Sequence, residues 1–407
     1  MRVALALFVT TVMALYGPAT VDAQGVTSDS ITLGVTSAFK GHAASLGSEL
    51  YRGYMAFFNK INAQGGIGGR TITVKALDDS YDPPEAVRNT VKLVSQEKAF
   101  LLFGNVGTPT TVKVLPLLLK YQNIPVYMFG PFTGAQPQRE EPYAAFCINV
   151  RASYRQETAA LVDFFVEKGK RKIAVFYQND AYGRSGQNGV VRGLEAHGMA
   201  IAGETTYTRG DTYNTDMSSQ VRSFMAGGAD AVISVGAYQA CAAFIRDARK
   251  AGFAGPIANI SFVGSEALLN LLLDQQRRDG QDYSGELFNS QVVPPFDDSS
   301  IPLVVQYRED MKNYAASLPA DLRDPDYIPS EYSFASLEGY VNAVVFAKAV
   351  EMAGEDLTPV SLMGSIESMD GVDIGIGSEV VFGIGDHQGL DEVYITQARG
   401  GRWVLVE

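Results

Sequence analysis

Short apolar runs alternate with longer amphipathic stretches along nearly the whole chain, and the succession is run through twice. In the first half Ile31–Thr36, Thr71–Leu77, Phe100–Phe103 and Val126–Phe129 read as strands. In the second half Lys172–Tyr177, Met199–Glu204, Ala231–Val235 and Ile257–Ser261 repeat the order, about 130 to 140 residues later. Between them run segments of helical period; Glu49–Asn62 carries Leu50, Tyr54, Phe57, Phe58 and Ile61 on one face, and Val87, Val91 and Val94 mark another. Strand and helix alternating at this spacing predict an α/β protein of two lobes, each a doubly wound, mostly parallel sheet. Such sheets bind ligands outside the carboxyl ends of their strands, so two facing copies make a cleft.

The strand ends are where chemistry is expected. After the first strand, Lys40–Gly47 reads as a loop. The third strand delivers Gly107-Thr108-Pro109-Thr110, with Thr108 suited to an N-cap and Pro109 to the first helical turn. The amino end of that helix, with free N–H groups and a positive dipole, is a natural seat for a carboxylate. The fourth strand delivers Pro131-Phe132-Thr133-Gly134, and the second half delivers Tyr182, Tyr238 and Ser261 at matching stages. Gly65-Gly66-Ile67-Gly68-Gly69 leads into a strand rather than opening a helix, so it reads as a turn and not a phosphate loop.

The chain is expected to cross between lobes around Cys147–Arg151, near Ser290–Pro295 and near Leu390. Lobe 1 is then 24–147 plus 293–389, and lobe 2 is 148–292 plus 390–407, with Val393–Glu407 as a short antiparallel piece. Three connecting strands make a hinge, and hinge closure is the motion such a design permits. A chain of 407 residues supports two cores of this kind.

Residues 1–23 read as a secretory signal peptide: Arg2, an apolar run from Val3 to Tyr16, then Val21-Asp22-Ala23 before a mature start at Gln24. The apolar run is short for a membrane span, and no Cys stands near the cleavage point to take a lipid anchor. Export into solution follows. A net charge of −12 disfavours nucleic acid as a partner, because phosphate neutralisation needs clustered Lys and Arg. Cys147 and Cys241 are the only cysteines; export would permit a disulfide, while their places in the pattern favour two buried thiols.

Catalytic constellations are missing. His42, His197 and His387 are scattered, and neither a His-Glu-x-x-His pair nor a Gly-x-Ser-x-Gly elbow is present. Asp78 and Asp79 point to opposite faces of a strand, and Asp370 and Asp373 lack the further oxygen ligands of a calcium loop. Binding without turnover, with no metal or cofactor, is the expectation.

Leu46-Gly47, Asn62–Gly69, Asp78-Asp79, Gly107–Thr110, Thr133-Gly134, Asp180–Gly183 and Ser261–Ser265, in this order and spacing, resemble the periplasmic branched-chain amino-acid binding proteins of ABC transporters. The resemblance runs from about Ile31 to Glu407. It implies the type I periplasmic-binding-protein fold and a monomer that traps a ligand between lobes and hands it to a membrane permease. It also implies that Thr108 and Thr133, with flanking Gly107 and Gly134, hold a ligand carboxylate. The Pro131 carbonyl would meet an amino group, and Leu46 and Tyr182 would contact the ligand side chain. The family's further Tyr falls at Ala237 or Tyr238. Ser261 stands where amino-acid binders carry an acid for the α-ammonium, with Glu266 five residues on as a substitute. A carboxylate or amide without an amino group, with an aromatic or aliphatic body lodged against Leu46, Phe132, Tyr182, Tyr238 and Phe262, is therefore the alternative to an amino acid. A ligand sensor of the same fold is the alternative to an importer component, with an exported enzyme behind both.

Overall fold

The computed structural model describes residues 23–123 and 125–406; the expected signal peptide therefore lies, apart from Ala23, outside the described residues. The first half runs β1 (Ser30–Ser37), α1 (Ala44–Ala63), β2 (Thr71–Asp78), α2 (Pro83–Ser95), β3 (Leu101–Phe103), α3 (Thr108–Lys120), β4 (Met128–Phe129) and β5 (Cys147–Ile148). These strands form one sheet in the order β2-β1-β3-β4-β5, every pairing parallel.

The second half runs α4 (Tyr154–Glu167), β6 (Ile173–Gln178), α5 (Ala181–Ala196), β7 (Gly203–Tyr207), α6 (Ser218–Ala226), β8 (Ala231–Val235), α7 (Tyr238–Lys250), β9 (Ile257–Asn259), α8 (Ser265–Asp279) and β10 (Leu287–Gln291). Then follow α9 (Pro302–Tyr314), α10 (Phe334–Ala353), α11 (Pro359–Glu367), a two-stranded ribbon of β11 (Val372–Asp373) and β12 (Glu379–Val380), and a terminal hairpin of β13 (Tyr394–Arg399) and β14 (Arg402–Leu405). The second sheet has the order β14-β13-β10-β9-β8-β6-β7, parallel except where β13 pairs with β10 and with β14. The molecule is thus a two-lobed α/β protein, and the hairpin returns to the second sheet after α9–α11.

Local chemistry sets the helix starts. Asp82 accepts from the Glu85 amide, Asp180 from the Tyr182 amide, and Ser153 and Ser333 form capping boxes with Gln156 and Ser336. Helix α10 joins the first lobe by packing on α1 at backbone distance. A Cβ on Gly53 would stand 1.8 Å from the Ser336 carbonyl oxygen, and one on Gly339 2.3 Å from that of Leu50. Any side chain at either position would hold the helices apart.

Three expectations move. Helix α1 begins at Ala44 after a 3₁₀ turn at Gly41–Ala43, so Leu46 lies in its first turn and not in a loop. The strand expected at Met199–Glu204 is Gly203–Tyr207, because the Met199 amide still closes α5 by donating to the Leu194 carbonyl at 2.8 Å. Val91 is exposed, and the buried face of α2 is Ala86, Asn89, Thr90, Leu93 and Val94. Cys147 and Cys241 are both free and buried. Among the described residues no helix is long and apolar enough to cross a membrane, and no group of His, Cys, Asp or Glu is placed to hold a metal.

Candidate ligand site between the lobes

At the amino end of α3 the N-cap is Gly107, with φ of +96°, a conformation that suits glycine. Tyr81 packs directly on it: a Cβ there would meet the ring at 2.1 Å. Thr108 is the first helical residue, contrary to its expected role as N-cap, and makes no capping bond. Its hydroxyl is free to meet that of Thr133, 2.6 Å away, and both residues are fully shielded from solvent. Thr133 is fixed on three sides. Its N–H donates to the Pro131 carbonyl at 2.8 Å, its hydroxyl accepts from the Ala135 amide at 3.3 Å, and its carbonyl accepts from the Gln138 side chain at 3.1 Å. The Pro131 carbonyl is thus already engaged. Gly134 accepts the Tyr154 amide at 2.6 Å, with no room for a side chain against the Tyr154 ring. The Tyr154 hydroxyl sits beside both threonines, and burial pushes it up to about 12.

The second lobe presents an aromatic wall to this pair. Phe262, in the 3₁₀ turn Ser261–Val263, lies 4.8 Å from Tyr182, 5.3 Å from Phe132 and 6.0 Å from Tyr81 between ring centroids. Tyr182 also packs against Tyr154 at 5.4 Å, with the rings tilted by 50°, and donates to the Gly236 carbonyl at 3.4 Å. All of these rings are buried. Phe132 of the first lobe and Phe262 of the second thus meet beside the buried threonine pair.

Ser261 belongs to a buried charge cluster. The Glu157 carboxylate accepts from the Ser261 amide at 2.8 Å, the Ser261 hydroxyl at 3.1 Å and the Ser290 hydroxyl at 2.6 Å. Arg151 donates to Glu157 at 2.6 Å, to Glu338 of α10 at 3.3 Å, and to the Ser261 hydroxyl. Its guanidinium lies 5.6 Å from the centroids of both Phe132 and Tyr154. Ser261 thus comes with a cation and an acid already paired. Glu266, the expected substitute acid, is elsewhere: it opens α8 beside Glu49 and the Phe334 amide, and burial raises it to about 8. Burial disfavours its charged form, and it faces Glu49.

Leu46 and Tyr238 lie further out. A Cβ on Gly264, in the second lobe, would meet Leu46 at 2.7 Å and Tyr238 at 3.6 Å. Tyr238 borders an interlobe groove of about 720 Å³ shared with Ser45, Gln239, Leu271 and Tyr327. The structure therefore gathers Gly107, Thr108, Pro131, Thr133, Gly134 and Tyr182 in one buried region. Ser261 stands at its edge, and Leu46 and Tyr238 on the groove side. Sequence reasoning missed Tyr81, Tyr154, Arg151 and Glu157. Arg151, a lone cation in the apolar stretch Cys147–Ala152, carried the one signal that could have been read.

Burial raises Asp79 and Glu338 to about 7, and Arg151 opposes the shift at Glu338. Their folded values exceed the unfolded ones near 4, so the folded state binds protons that the unfolded chain releases. The stability they contribute is complete below about pH 4 and is lost as pH rises through about 7. The melting temperature should accordingly fall by several degrees from pH 6 to pH 8.5. Because a net charge of −12 adds its own repulsion, Asp79→Asn is the control: its pH profile should be flatter in scanning fluorimetry.

The chain belongs to the periplasmic binding protein family, which matches residues 30–402. A possible leucine/isoleucine/valine-binding protein from Rhodopirellula baltica SH 1 is 32% identical with a TM-score of 0.80, over 95% of this chain and 98% of that one. A branched chain amino acid ABC transporter protein from Thermus thermophilus with bound valine shares the fold, with a TM-score of 0.78 at 18% identity over 92% and 95% of the two chains. An amino acid binding protein from Pseudomonas aeruginosa is 27% identical over 249 residues, 61% of this chain and 63% of its own length. The match therefore spans less than two thirds of that relative.

Proposed function

We propose that the chain is the solute-binding component of an ABC importer. It captures a small carboxylate, an amino acid or related organic acid, between its lobes and delivers it to permease subunits at the inner membrane as a periplasmic monomer. Lobe 1 is 24–147 plus 293–389, lobe 2 is 148–292 plus 390–407, and the signal peptide is residues 1–23. The observation that carries this reading is the buried Thr108–Thr133 hydroxyl pair at the amino end of α3, beside the contact of Phe132 with Phe262 of the second lobe. Two hydroxyl donors and a helix dipole bind a carboxylate without a cation. The names of the amino-acid-binding relatives support the ligand class, and the Phe132–Phe262 contact supports capture by closure: ligand favours the shut form only through contacts with both lobes.

Thr133→Val keeps the shape and removes one donor to the carboxylate, a hydrogen bond worth about 1.5–3 kcal/mol for a charged partner. Calorimetry with the solute found by a thermal-shift screen of amino acids and organic acids should show affinity reduced by roughly ten- to a hundredfold. Unchanged affinity in folded protein would remove the threonine pair from the site.

A further inference from the structure

The segments Cys147–Ser153 and 385–391 run side by side, with the Asn149 amide donating to the His387 carbonyl at 2.7 Å and the Gly389 amide to that of Asn149 at 2.8 Å. Beside them lies a polar cavity of about 170 Å³, lined among others by Gln136, Gln138, Arg139, Asn149, Ser153 and Gln388. It is separate from the threonine pair and unused by the proposed function.

Four buried atoms of its lining residues have no hydrogen-bond partner in the protein: Gln136 Oε1, Gln138 Oε1, Asn149 Oδ1 and Arg139 Nε. Gln138 is 0% and Asn149 2% exposed. The amide orientations are set by bonds on the other side. Gln138 Nε2 donates to the Thr133 carbonyl at 3.1 Å and Asn149 Nδ2 to the Cys147 carbonyl at 3.4 Å, which leaves carbonyl oxygens over. The remaining Arg139 nitrogens are engaged, Nη2 with the Arg151 carbonyl at 3.0 Å and Nη1 with the Gln388 side chain. Buried polar groups in native proteins nearly always find partners, so four around one cavity point to an occupant.

The four unpartnered atoms are three acceptors and one donor, and the lining also carries the acceptor carboxylate of Asp386. A metal cation would serve the carbonyls but face the Arg139 guanidinium, and an anion would meet Arg139 but be repelled by three carbonyl oxygens. A molecule rich in N–H groups with a single acceptor oxygen matches both. The volume exceeds the roughly 30 Å³ of one water and falls short of a drug-sized pocket. We propose that this cavity is a binding site for a small neutral solute of the urea type, whose NH₂ groups donate to Gln136, Gln138 and Asn149 and whose carbonyl oxygen accepts from Arg139 Nε. Through Gln138 the site touches the residue that carries the Thr133 hydroxyl.

Saturation-transfer NMR and calorimetry on the whole mature chain with millimolar urea test it, with glycerol as the hydroxyl-bearing comparison. Saturable urea binding is expected, stronger than glycerol, and weakened at least tenfold by Gln138→Met. Gln136→Met, at a less buried position, should weaken it in the same direction with an unchanged circular dichroism spectrum. Absence of saturable binding to natively folded protein overturns the proposal. So does glycerol binding in preference to urea, or a crystal structure grown in millimolar urea in which only water meets the four atoms.

Discussion

Glu157→Gln is expected to destabilise the protein by about 3–5 kcal/mol, the usual result of removing one partner from a buried ion pair. The carboxylate serves four donors at once: the Arg151 guanidinium, the Ser261 amide, and the hydroxyls of Ser261 and Ser290. An amide retains one acceptor oxygen and sets an NH₂ group against the remaining donors. Arg151, 2% exposed, is left with Glu338 as its one acidic partner, and burial raises Glu338 to about 7. The melting temperature should fall on the order of ten degrees, given about 2–4 degrees per kcal/mol for lobes of this size. Ser290→Ala, which removes one donor and leaves the ion pair, should cost less than half as much. Equal losses in the two variants would mean that the charge is not what the site depends on.

The double succession of strands and helices was legible because period-2 and period-3.6 patterns are local, and the parallel sheets follow from strands separated by helices. That Thr108 and Thr133 meet has a related reason, since neighbouring parallel strands bring both to the same sheet edge. Contacts between elements far apart in sequence were not legible. Tyr81 turns toward Gly107 from a backbone with φ of +61°, directly after Ser80 at +48°, and nothing in Asp78-Asp79-Ser80 announces that turn. Thr108 looked like an N-cap because Thr-Pro is a common helix opening. With glycine available one residue earlier, its side chain was released for Thr133. Glu266 looked like a substitute acid by proximity in sequence to Ser261. One turn of α8 is enough to carry it to Glu49 instead.

Phe262→Ala should act on lobe closure more than on folding. The ring is fully buried but is shared: Phe132 and Tyr81 belong to the first lobe, Tyr182 to the second. Truncating a buried Phe costs about 3–5 kcal/mol where the surroundings cannot relax. On the proposed hinge motion they can, because lobes that separate hydrate the cavity. Much of the lost contact energy then appears as a shift of the closed-to-open ratio, by roughly a hundredfold to several thousandfold if all of it is expressed there. The expected outcome is a larger radius of gyration by small-angle X-ray scattering, exposure of Thr108 and Thr133, and a melting temperature reduced less than by Glu157→Gln. Phe262→Leu, which keeps most of the volume, should fall between. A variant that melts as early as Glu157→Gln with an unchanged radius of gyration would place Phe262 in the second lobe's core and leave closure to other contacts.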